Sequence, residues 1–406
     1  MNLDEKLEYL MQGTDYGDPS IAEAMAQELR ERLIESEKTG RPLRVYCGYD
    51  PTSSDLHLGH TVSMRKLRQF QELGHDVTFL VGTFTSLIGD PSDRDKSRPL
   101  ITRDQAMENA RTYAEQAFRV LDREKTTVAY NDEWLSEVTL ADILKVASNF
   151  TAQQILTRES FHRRMEAGEP IYLHEFLYPI SQGIDAHHLN TDIQVGGTDQ
   201  LYNIVTASRK VMSSYGQRPN IGILMPLLPG TDGEMKMSKS LGNYIPISST
   251  AEDMYGKVMS IPDKVMDVYA KLVTPWKPAE IHAFEADLKA GRIHPRDAKM
   301  KLAWAITSAF YGASGANAAQ NQFVALFQKG NTPDEMPEYL TDCRETLLEI
   351  MVSNGLAGSK SQARRLIDQQ GVKLDGATVD DGNLIVNHEC IIQVGKRHFL
   401  KVAIKK

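Results

Sequence analysis

Two histidines that flank a glycine, His57 and His60 around Gly59, are the first residues whose types and spacing suggest chemistry. They follow a short apolar segment, residues 43–49, and a polar turn opened by Asp50-Pro51, a pattern that predicts strand, turn and helix. Glycine lets a ligand approach the backbone, free N–H groups at a helix start favour an anion, and imidazoles donate to phosphate oxygens. The segment therefore predicts a phosphate site, with a nucleotide as the candidate ligand.

A second cationic segment places Lys236 and Lys239 on either side of Ser238, between Gly233 and Gly242. Such a loop can surround a polyphosphate and neutralise the charge that develops as pyrophosphate leaves. The same residues also fit a solvated loop. The phosphate-binding interpretation is favoured because the histidine segment follows the first predicted strand and the lysine segment follows the last one.

The elements that must position these segments alternate along the chain. Apolar segments predict strands, with helical patterns between them, at residues 43–49, 77–82, 126–130, 191–196 and 221–224. This alternation predicts an α/β fold with a doubly wound, mostly parallel sheet. In such sheets ligands gather at the carboxyl ends of the strands, where both cationic segments would lie.

The pattern predicts four parts in the chain. Residues 1–245 form a catalytic domain that begins with two amphipathic helices, 246–330 a helical domain, 331–354 a linker, and 355–406 a small α+β module. The last part holds nine Lys and Arg against five Asp and Glu, although the whole chain has a net charge of -8. On charge alone a solvated, Lys-rich C-terminus is favoured over a nucleic-acid contact for this basic tail.

Composition excludes several classes of protein. The best apolar run, residues 221–228, is too short to span a membrane and contains Pro226. The acidic N-terminus does not resemble a signal peptide, so a cytoplasmic protein is expected. Three widely spaced cysteines, Cys47, Cys343 and Cys390, predict neither a disulfide framework nor a metal site.

Together the two cationic segments resemble the signatures of the class I aminoacyl-tRNA synthetases. The lysine signature is intact, and the histidine signature departs only by Leu58 where isoleucine is usual. Further segments are similar to the tyrosyl-tRNA synthetases in particular: residues 46–52, 88–92, 178–185 and 194–200. The resemblance covers roughly residues 40–245, in order.

The resemblance implies a role for individual residues. It assigns Tyr46 and Asp185 to the phenolic hydroxyl of a bound L-tyrosine, and Asp90, Tyr178 and Gln182 to its ammonium group. Asp50 and Gln200 match positions near the amino acid and its reacting carboxylate. It assigns Gly197 and Asp199 to the ribose of ATP. It assigns residues of the turn and of the two signature segments to the ATP phosphates: Thr52, His57, Gly59, His60, Lys236, Ser238 and Lys239.

The reaction implied by the resemblance uses no side-chain nucleophile and no protein metal site. The tyrosine carboxylate attacks the α-phosphorus of ATP, which carries Mg²⁺, and the tyrosyl group then passes to the terminal ribose of tRNA(Tyr). One segment departs from the family pattern. After Asp90 the family often has Pro-Ser-Gly-Lys, whereas this chain has two acidic residues, with Arg94, Lys96 and Arg98 as alternative cations.

The C-terminal module resembles the RNA-binding domain shared with ribosomal small-subunit protein four. Its helix-turn-strand signature contains Arg364, Arg365 and Lys373, which would contact RNA phosphates. Two alternatives stay open: a tryptophanyl enzyme, expected to lack both this module and the Tyr46–Asp185 pair, and a catalytically silent RNA-binding paralogue. A homodimer is expected from the resemblance.

Overall fold

The computed structural model describes residues 1–53, 55–92, 101–328, 336–395 and 398–405 of the chain. These residues divide into two compact units, Met1–Asn317 and Ala318–Lys406. Within the described ranges, no helix combines the length and the apolar character that crossing a bilayer requires.

A five-stranded parallel sheet forms the centre of the first unit. Its strands are β1 Arg44–Tyr49, β2 Asp76–Val81, β3 Thr126–Tyr130, β4 Ile193–Gly197 and β5 Ile221–Met225. Their order is β3-β2-β1-β4-β5, and every neighbouring pair is parallel. The order reverses between β1 and β4, which is the topological switch point where doubly wound sheets bind ligands. The predicted fold class is confirmed.

Helices cover the sheet on both faces, as its buried strands require. All five residues of β5 are buried. Glycines bring the chain after β4 close to the sheet, since a Cβ at Gly196 would lie 2.5 Å from Ile204 Cδ1 and one at Gly222 2.9 Å from Ile204 Cγ2.

The α-helices in the described part of residues 1–328 are Leu3–Met11, Pro19–Thr39, Leu58–Glu72, Thr85–Ile88, Arg103–Ala110, Tyr113–Ala117, Asp132–Leu135, Leu140–Ala147, Ala152–Leu156, Glu159–Glu166, Leu177–His188, Arg209–Ser214, Ala251–Met259, Met266–Val273, Pro278–Lys289 and Pro295–Gln328.

The two predicted N-terminal helices are present and have clear boundaries. Asn2 and Glu5 form a capping box at the first, and Asp18 caps the second, which Pro19 begins. The second ends at Gly40, whose φ of 70° suits glycine. Long helical segments also fill residues 251–328, with a break at Gly312, where φ is 69°.

The segment between β4 and β5, where the sequence predicts a helical pattern, contains three kinds of helix. It consists of a 3₁₀ turn, Thr198–Gln200, a π-helix, Tyr202–Ser208, and the α-helix Arg209–Ser214. Further 3₁₀ turns lie at Arg123–Lys125, Leu173–Phe176 and Asp263–Val265. Both α and π hydrogen-bond patterns bring nearby side chains onto one face, so the apolar spacing alone does not separate them.

The second unit is a small α+β structure. Its strands are β6 Glu338–Thr341, β7 Val372–Leu374, β8 Ala377–Thr378, β9 Cys390–Val394 and β10 His398–Ile404, in the order β6-β10-β9-β7-β8. Strand β6 runs parallel to β10, and the other pairs are antiparallel. Helices Leu347–Ser353 and Lys360–Asp368 contribute Leu347, Ile350, Met351, Ala363 and Ile367 to its core.

The interval 331–354, which the sequence predicts to be a linker, contains regular structure. Strand β6 and the helix Leu347–Ser353 both lie in it, and residues 331–335 fall outside the described ranges. Leu347, Leu348, Ile350 and Met351 are buried in the core of the second unit, because a helix of this composition has an apolar face that must be covered.

Candidate active site

A cavity of about 370 Å³ opens at the carboxyl ends of β1 and β4. It brings together residues from segments that are far apart in the sequence, and of the residues predicted for catalysis and substrate binding only Lys239 is absent from its lining. The predicted residues that line it are Tyr46, Asp50, Thr52, His57, Gly59, His60, Asp90, Tyr178, Gln182, Asp185, Gly197, Asp199, Gln200, Lys236 and Ser238.

His57 and His60 form a reciprocal cap at the start of the Leu58–Glu72 helix. His57 Nδ1 accepts from the Gly59 N–H at 3.2 Å, and His60 Nδ1 accepts from the His57 N–H at 3.2 Å. Each Nδ1 is therefore an acceptor, so the ring proton is on Nε2. Burial lowers the pKa of His57 to about 2 and that of His60 to about 4, so both are neutral donors.

The helix start differs from the prediction in one respect. Its first N–H groups are not free for an anion, because Leu58 donates to the Ile245 carbonyl at 3.0 Å and His60 to the His57 carbonyl at 2.9 Å. Gly59 donates to the imidazole of His57. In this arrangement the two Nε2–H groups, rather than the backbone, can donate to a phosphate.

Gly59 makes room for the ring of His57. A Cβ at position 59 would lie 2.9 Å from His57 Cε1 and 3.0 Å from its Nδ1, closer than real Cβ contacts. The predicted reason for this glycine was close approach of a ligand. The structure shows close approach of the histidine that caps the same helix.

The lysine segment is held by an asparagine that the sequence analysis did not select. Asn243 is buried, and its Oδ1 accepts from the Ser238 N–H at 2.8 Å. Its Nδ2 donates to the Lys236 carbonyl at 3.1 Å and to Asp232 Oδ2 at 2.6 Å. One side-chain amide therefore holds the backbone of the lysine segment at both Lys236 and Ser238.

Lys239 reaches the turn after β1 without lining the cavity. Its Nζ donates to Ser53 Oγ at 3.1 Å and lies 3.6 Å from Asp55 Oδ2. The lysine segment is thus in contact with the turn that leads to the histidine pair, as the places of the two segments after the last and first strands predict.

Asp185 and Tyr46 are both buried at one end of the cavity, but they are not hydrogen-bonded to each other. Tyr46 donates to the Gln182 carbonyl at 3.3 Å. Asp185 accepts from Asn131 Nδ2 at 3.1 Å and from Trp134 Nε1 at 2.8 Å. Burial raises the pKa of Asp185 to about 8, because its two donors only partly offset the loss of water.

Asn131 and Trp134 are site residues that sequence reasoning missed. Both come directly after β3, and Asn131 is fully buried. The rule that ligands gather at the carboxyl ends of parallel strands, applied to β3 as it was to β1 and β5, would have found them.

Asp50, Tyr178 and Gln182 contribute further polar groups to the lining of the cavity. Asp50 accepts from Tyr178 at 2.9 Å and from Thr85 Oγ1 at 2.6 Å. Gln182 Oε1 is buried and has no hydrogen-bond partner among the described residues. A buried acceptor in that condition is suited to a donor brought by a ligand.

Asp90 and Asp199 meet through Gln200. Gln200 Nε2 donates to Asp90 Oδ2 at 2.6 Å and to Asp199 Oδ2 at 3.2 Å. A Cβ at Gly197 would lie 2.3 Å from Asp199 Oδ1, so this position needs glycine if Asp199 is to keep its orientation. The carboxylates in the cavity make it suited to cationic and hydroxyl-bearing parts of a ligand.

Arg364, Arg365 and Lys373 are exposed in the second unit. Their neighbours Ala363 and Ile367 are buried, so the Lys360–Asp368 helix is amphipathic with its basic side outward. The alternative cations predicted after Asp90, which are Arg94, Lys96 and Arg98, lie outside the described residues.

The chain is similar to known proteins over almost its whole length. Residues 37–328 match the family described as tRNA synthetases class I (W and Y), and residues 346–390 match the S4 domain. A tyrosine–tRNA ligase of Thermotoga maritima is 44% identical over 375 residues, which are 92% of this chain and 93% of that protein. One of Oleidesulfovibrio alaskensis is 42% identical, with 100% of both chains covered.

Solved structures show the same fold at lower identity. The tyrosyl-tRNA synthetase of Archaeoglobus fulgidus complexed with L-tyrosine has a TM-score of 0.61 and 23% identity, with 79% of this chain and 100% of that chain covered. A truncated mitochondrial tyrosyl-tRNA synthetase of Aspergillus nidulans has a TM-score of 0.63 and 23% identity, covering 80% and 94%. The family match, the near full-length relatives and the cavity together show that this chain belongs to the class I tRNA synthetases of the tryptophan and tyrosine group.

Proposed function

We propose that this chain is a tyrosine–tRNA ligase, which activates L-tyrosine with ATP and transfers it to tRNA(Tyr). The curated relatives that match almost the whole chain carry this name. The observation that carries the proposal is the buried Asp185, held by Asn131 and Trp134 at the end of a cavity that also contains the histidine pair.

Selection of tyrosine is assigned to that buried carboxylate. A phenolic hydroxyl would donate to Asp185 and complete its hydrogen bonding in a site from which water is excluded. Phenylalanine would leave the carboxylate with one partner fewer. Gln182 Oε1, which has no partner among the described residues, would accept from the ammonium group together with Asp90 and Tyr178.

Adenylate formation is assigned to positioning and charge stabilisation. The Nε2–H groups of His57 and His60 would donate to phosphate oxygens, joined by Thr52 and the lysine segment, as the bond to pyrophosphate breaks. Asp199 would accept from the ribose hydroxyls. Mg²⁺ enters as the ion carried by ATP, where it neutralises phosphate charge. Among the described residues no group of three or more His, Cys, Asp or Glu side chains could hold a metal.

ATP–pyrophosphate exchange with each amino acid in turn tests this function. Exchange is expected with tyrosine alone. Exchange driven by tryptophan but not by tyrosine would instead support the tryptophanyl alternative. Absence of exchange with any amino acid, together with retained tRNA binding, would support a catalytically silent paralogue.

The proposal extends to the domains, the partners and the location. Catalysis is assigned to residues 1–245, a helical domain to 246–330, and tRNA recruitment to Arg364, Arg365 and Lys373 of the module 355–406. A cytoplasmic location is proposed because tRNA is charged where it is used.

A homodimer is part of the proposed function. Leu140, Leu144 and Leu173 are 75%, 63% and 83% exposed, although leucine is usually buried. Light scattering is expected to give the mass of two chains, and Leu173→Asp to shift it towards one. A wild-type mass of a single chain would reject the dimer.

A further inference from the structure

Arg158 is a buried cation to which the mechanism so far gives no part. Its side chain is only 4% exposed. The guanidinium lies 5.2 Å from the centre of the Phe161 ring and 5.4 Å from that of Tyr202. Its Nη1 has no hydrogen-bond partner among the described residues. A charge removed from water in this way needs a nearby anion, so its neighbours indicate its role.

Among the described residues, the carboxylate that pairs with Arg158 is that of Asp90, which the proposed function assigns to the substrate ammonium group. Arg158 Nη2 donates to Ser92 Oγ at 2.6 Å, and the Ser92 N–H donates to Asp90 Oδ1 at 2.8 Å. The same Nη2 lies 3.9 Å from Asp90 Oδ1. Arg158 therefore supports one side of the carboxylate through Ser92 and through its charge.

The other side of Asp90 is held by a second buried amide. Gln200 Nε2 donates to Asp90 Oδ2 at 2.6 Å, and Asn203 Nδ2 donates to Gln200 Oε1 at 2.8 Å. Asn203 is fully buried. Because Asn203 presents a donor to Gln200 Oε1, the amide of Gln200 must turn its own N–H₂ group towards Asp90.

We propose that Arg158 and Asn203 are positioning residues that hold the Asp90 carboxylate from its two sides in the orientation that receives the substrate ammonium group. This inference rests on the proposed function, which makes Asp90 an ammonium ligand. Among the described residues each oxygen of Asp90 accepts from one donor, and a carboxylate oxygen can accept more than one hydrogen bond. The positive charge of Arg158 also offsets repulsion between Asp90 and the nearby carboxylate of Asp199.

The test compares two ligands that differ only in the ammonium group. The dissociation constants of L-tyrosine and of 3-(4-hydroxyphenyl)propionate are measured for wild type, Arg158→Met, Arg158→Lys and Asn203→Asp. Arg158→Met and Asn203→Asp are expected to weaken tyrosine about tenfold or more, as loss of a supporting hydrogen bond does at other ligand sites. The propionate should bind as before, and Arg158→Lys should recover most of the tyrosine affinity.

Two further variants separate the possible outcomes. Arg164→Met removes another buried arginine, which pairs with Glu175 rather than Asp90. It should leave unchanged the ratio of the tyrosine dissociation constant to the propionate dissociation constant. Asp90→Ala should raise that ratio; if it does not, the ammonium assignment itself is wrong. The positioning role is refuted if Asp90→Ala raises this ratio while Arg158→Met and Asn203→Asp leave it unchanged. That would be the case if these two variants bound both ligands more weakly by the same factor, or bound both as wild type does. Should Arg158→Met not fold, Asn203→Asp and Arg158→Lys decide the matter.

Discussion

At the scale of single residues, the site depends on groups whose protonation the fold sets. The imidazoles of His57 and His60 are kept neutral by burial, and their cap interactions put the proton on Nε2. For Asp185, burial instead raises the pKa of the carboxyl group, because it disfavours the ionised form. One end of the cavity therefore offers neutral donors and the other a carboxylate that is costly to ionise.

Asp185 should make both stability and tyrosine binding depend on pH. Its pKa is raised from 3.8 to about 8 in the folded chain. The folded state holds this proton more tightly, so the stabilisation it gives is complete below the unfolded pKa and is lost as pH rises towards 8. The melting temperature of wild type relative to Asp185→Asn should therefore fall between pH 5 and 8.

Tyrosine affinity should change in the opposite sense. Because the ionised carboxylate accepts from the phenol, the dissociation constant of tyrosine should fall as pH rises from 6 to 8. Asp185→Asn should bind tyrosine weakly at every pH. A wild-type affinity that is constant over this range would contradict the assignment, as would tight binding by the variant.

Gly59→Ala should separate catalysis from tyrosine binding. An ideal Cβ at position 59 would lie only 2.9 Å from His57 Cε1, so the added methyl group would displace the His57 ring. The cap that this ring forms would then be lost. Single-turnover adenylate formation is expected to slow about 10²-fold, the usual cost of losing a group that stabilises the transition state, while tyrosine affinity stays the same.

Gly256 provides the matched control for this substitution. It lies inside the Ala251–Met259 helix, and a Cβ there would meet nothing within 4 Å. Gly256→Ala should leave the rate unchanged and stabilise the chain by about 0.5–1 kcal/mol. An equal loss of rate in both variants would mean that position 59 has no special role.

At the scale of elements, two loops that follow distant strands meet at the switch point. The lysine loop after β5 contacts the turn after β1 through Lys239, Ser53 and Asp55. Asn243 holds the backbone of the same loop. The loop therefore adds charge to a site whose amino-acid pocket is built from other elements.

Lys239→Ala should consequently affect the chemical step alone. Adenylate formation is expected to slow by about 10²-fold, because a cation that neutralises developing phosphate charge is lost, with little change in tyrosine affinity. Lys264→Ala is the control, since this exposed lysine pairs with Glu234 near the same loop and should leave the rate unaltered. An unaltered rate in Lys239→Ala would count against its role.

At the scale of the whole molecule, charge is unevenly distributed along the chain. The chain has a net charge of -8, yet its last 52 residues hold nine Lys and Arg against five Asp and Glu. An acidic catalytic unit discourages non-specific RNA binding, whereas an exposed basic helix attracts phosphates. The last 52 residues are thus suited to contact tRNA phosphates, which the acidic remainder of the chain would repel.

Replacing Arg364 and Arg365 by Gln tests this division without disturbing the core, because both side chains are exposed. The KM for tRNA should rise, and the salt dependence of tRNA binding should become shallower as phosphate contacts are lost. ATP–pyrophosphate exchange should be unchanged. Lys401→Gln, at a lysine paired with Glu338, is the control. Unchanged tRNA charging by the double variant would refute the assignment.

The sequence by itself determined the fold class and most of the lining of the site. Strand periodicity and the carboxyl-end rule placed the histidine and lysine segments at one edge of a parallel sheet, because both properties depend on local patterns. The resemblance to a known family supplied Tyr46, Asp90, Gln182 and Asp185, and the structure brings these residues to one cavity.

Only the tertiary structure decided which groups these residues contact. It showed that His57 and His60 cap their own helix, that Asp185 accepts from Asn131 and Trp134 rather than from Tyr46, and that Arg158 lies beside Asp90. Hydrogen bonds between distant segments depend on angles and distances within tenths of an ångström, and the spacing of residues along a chain carries no record of them.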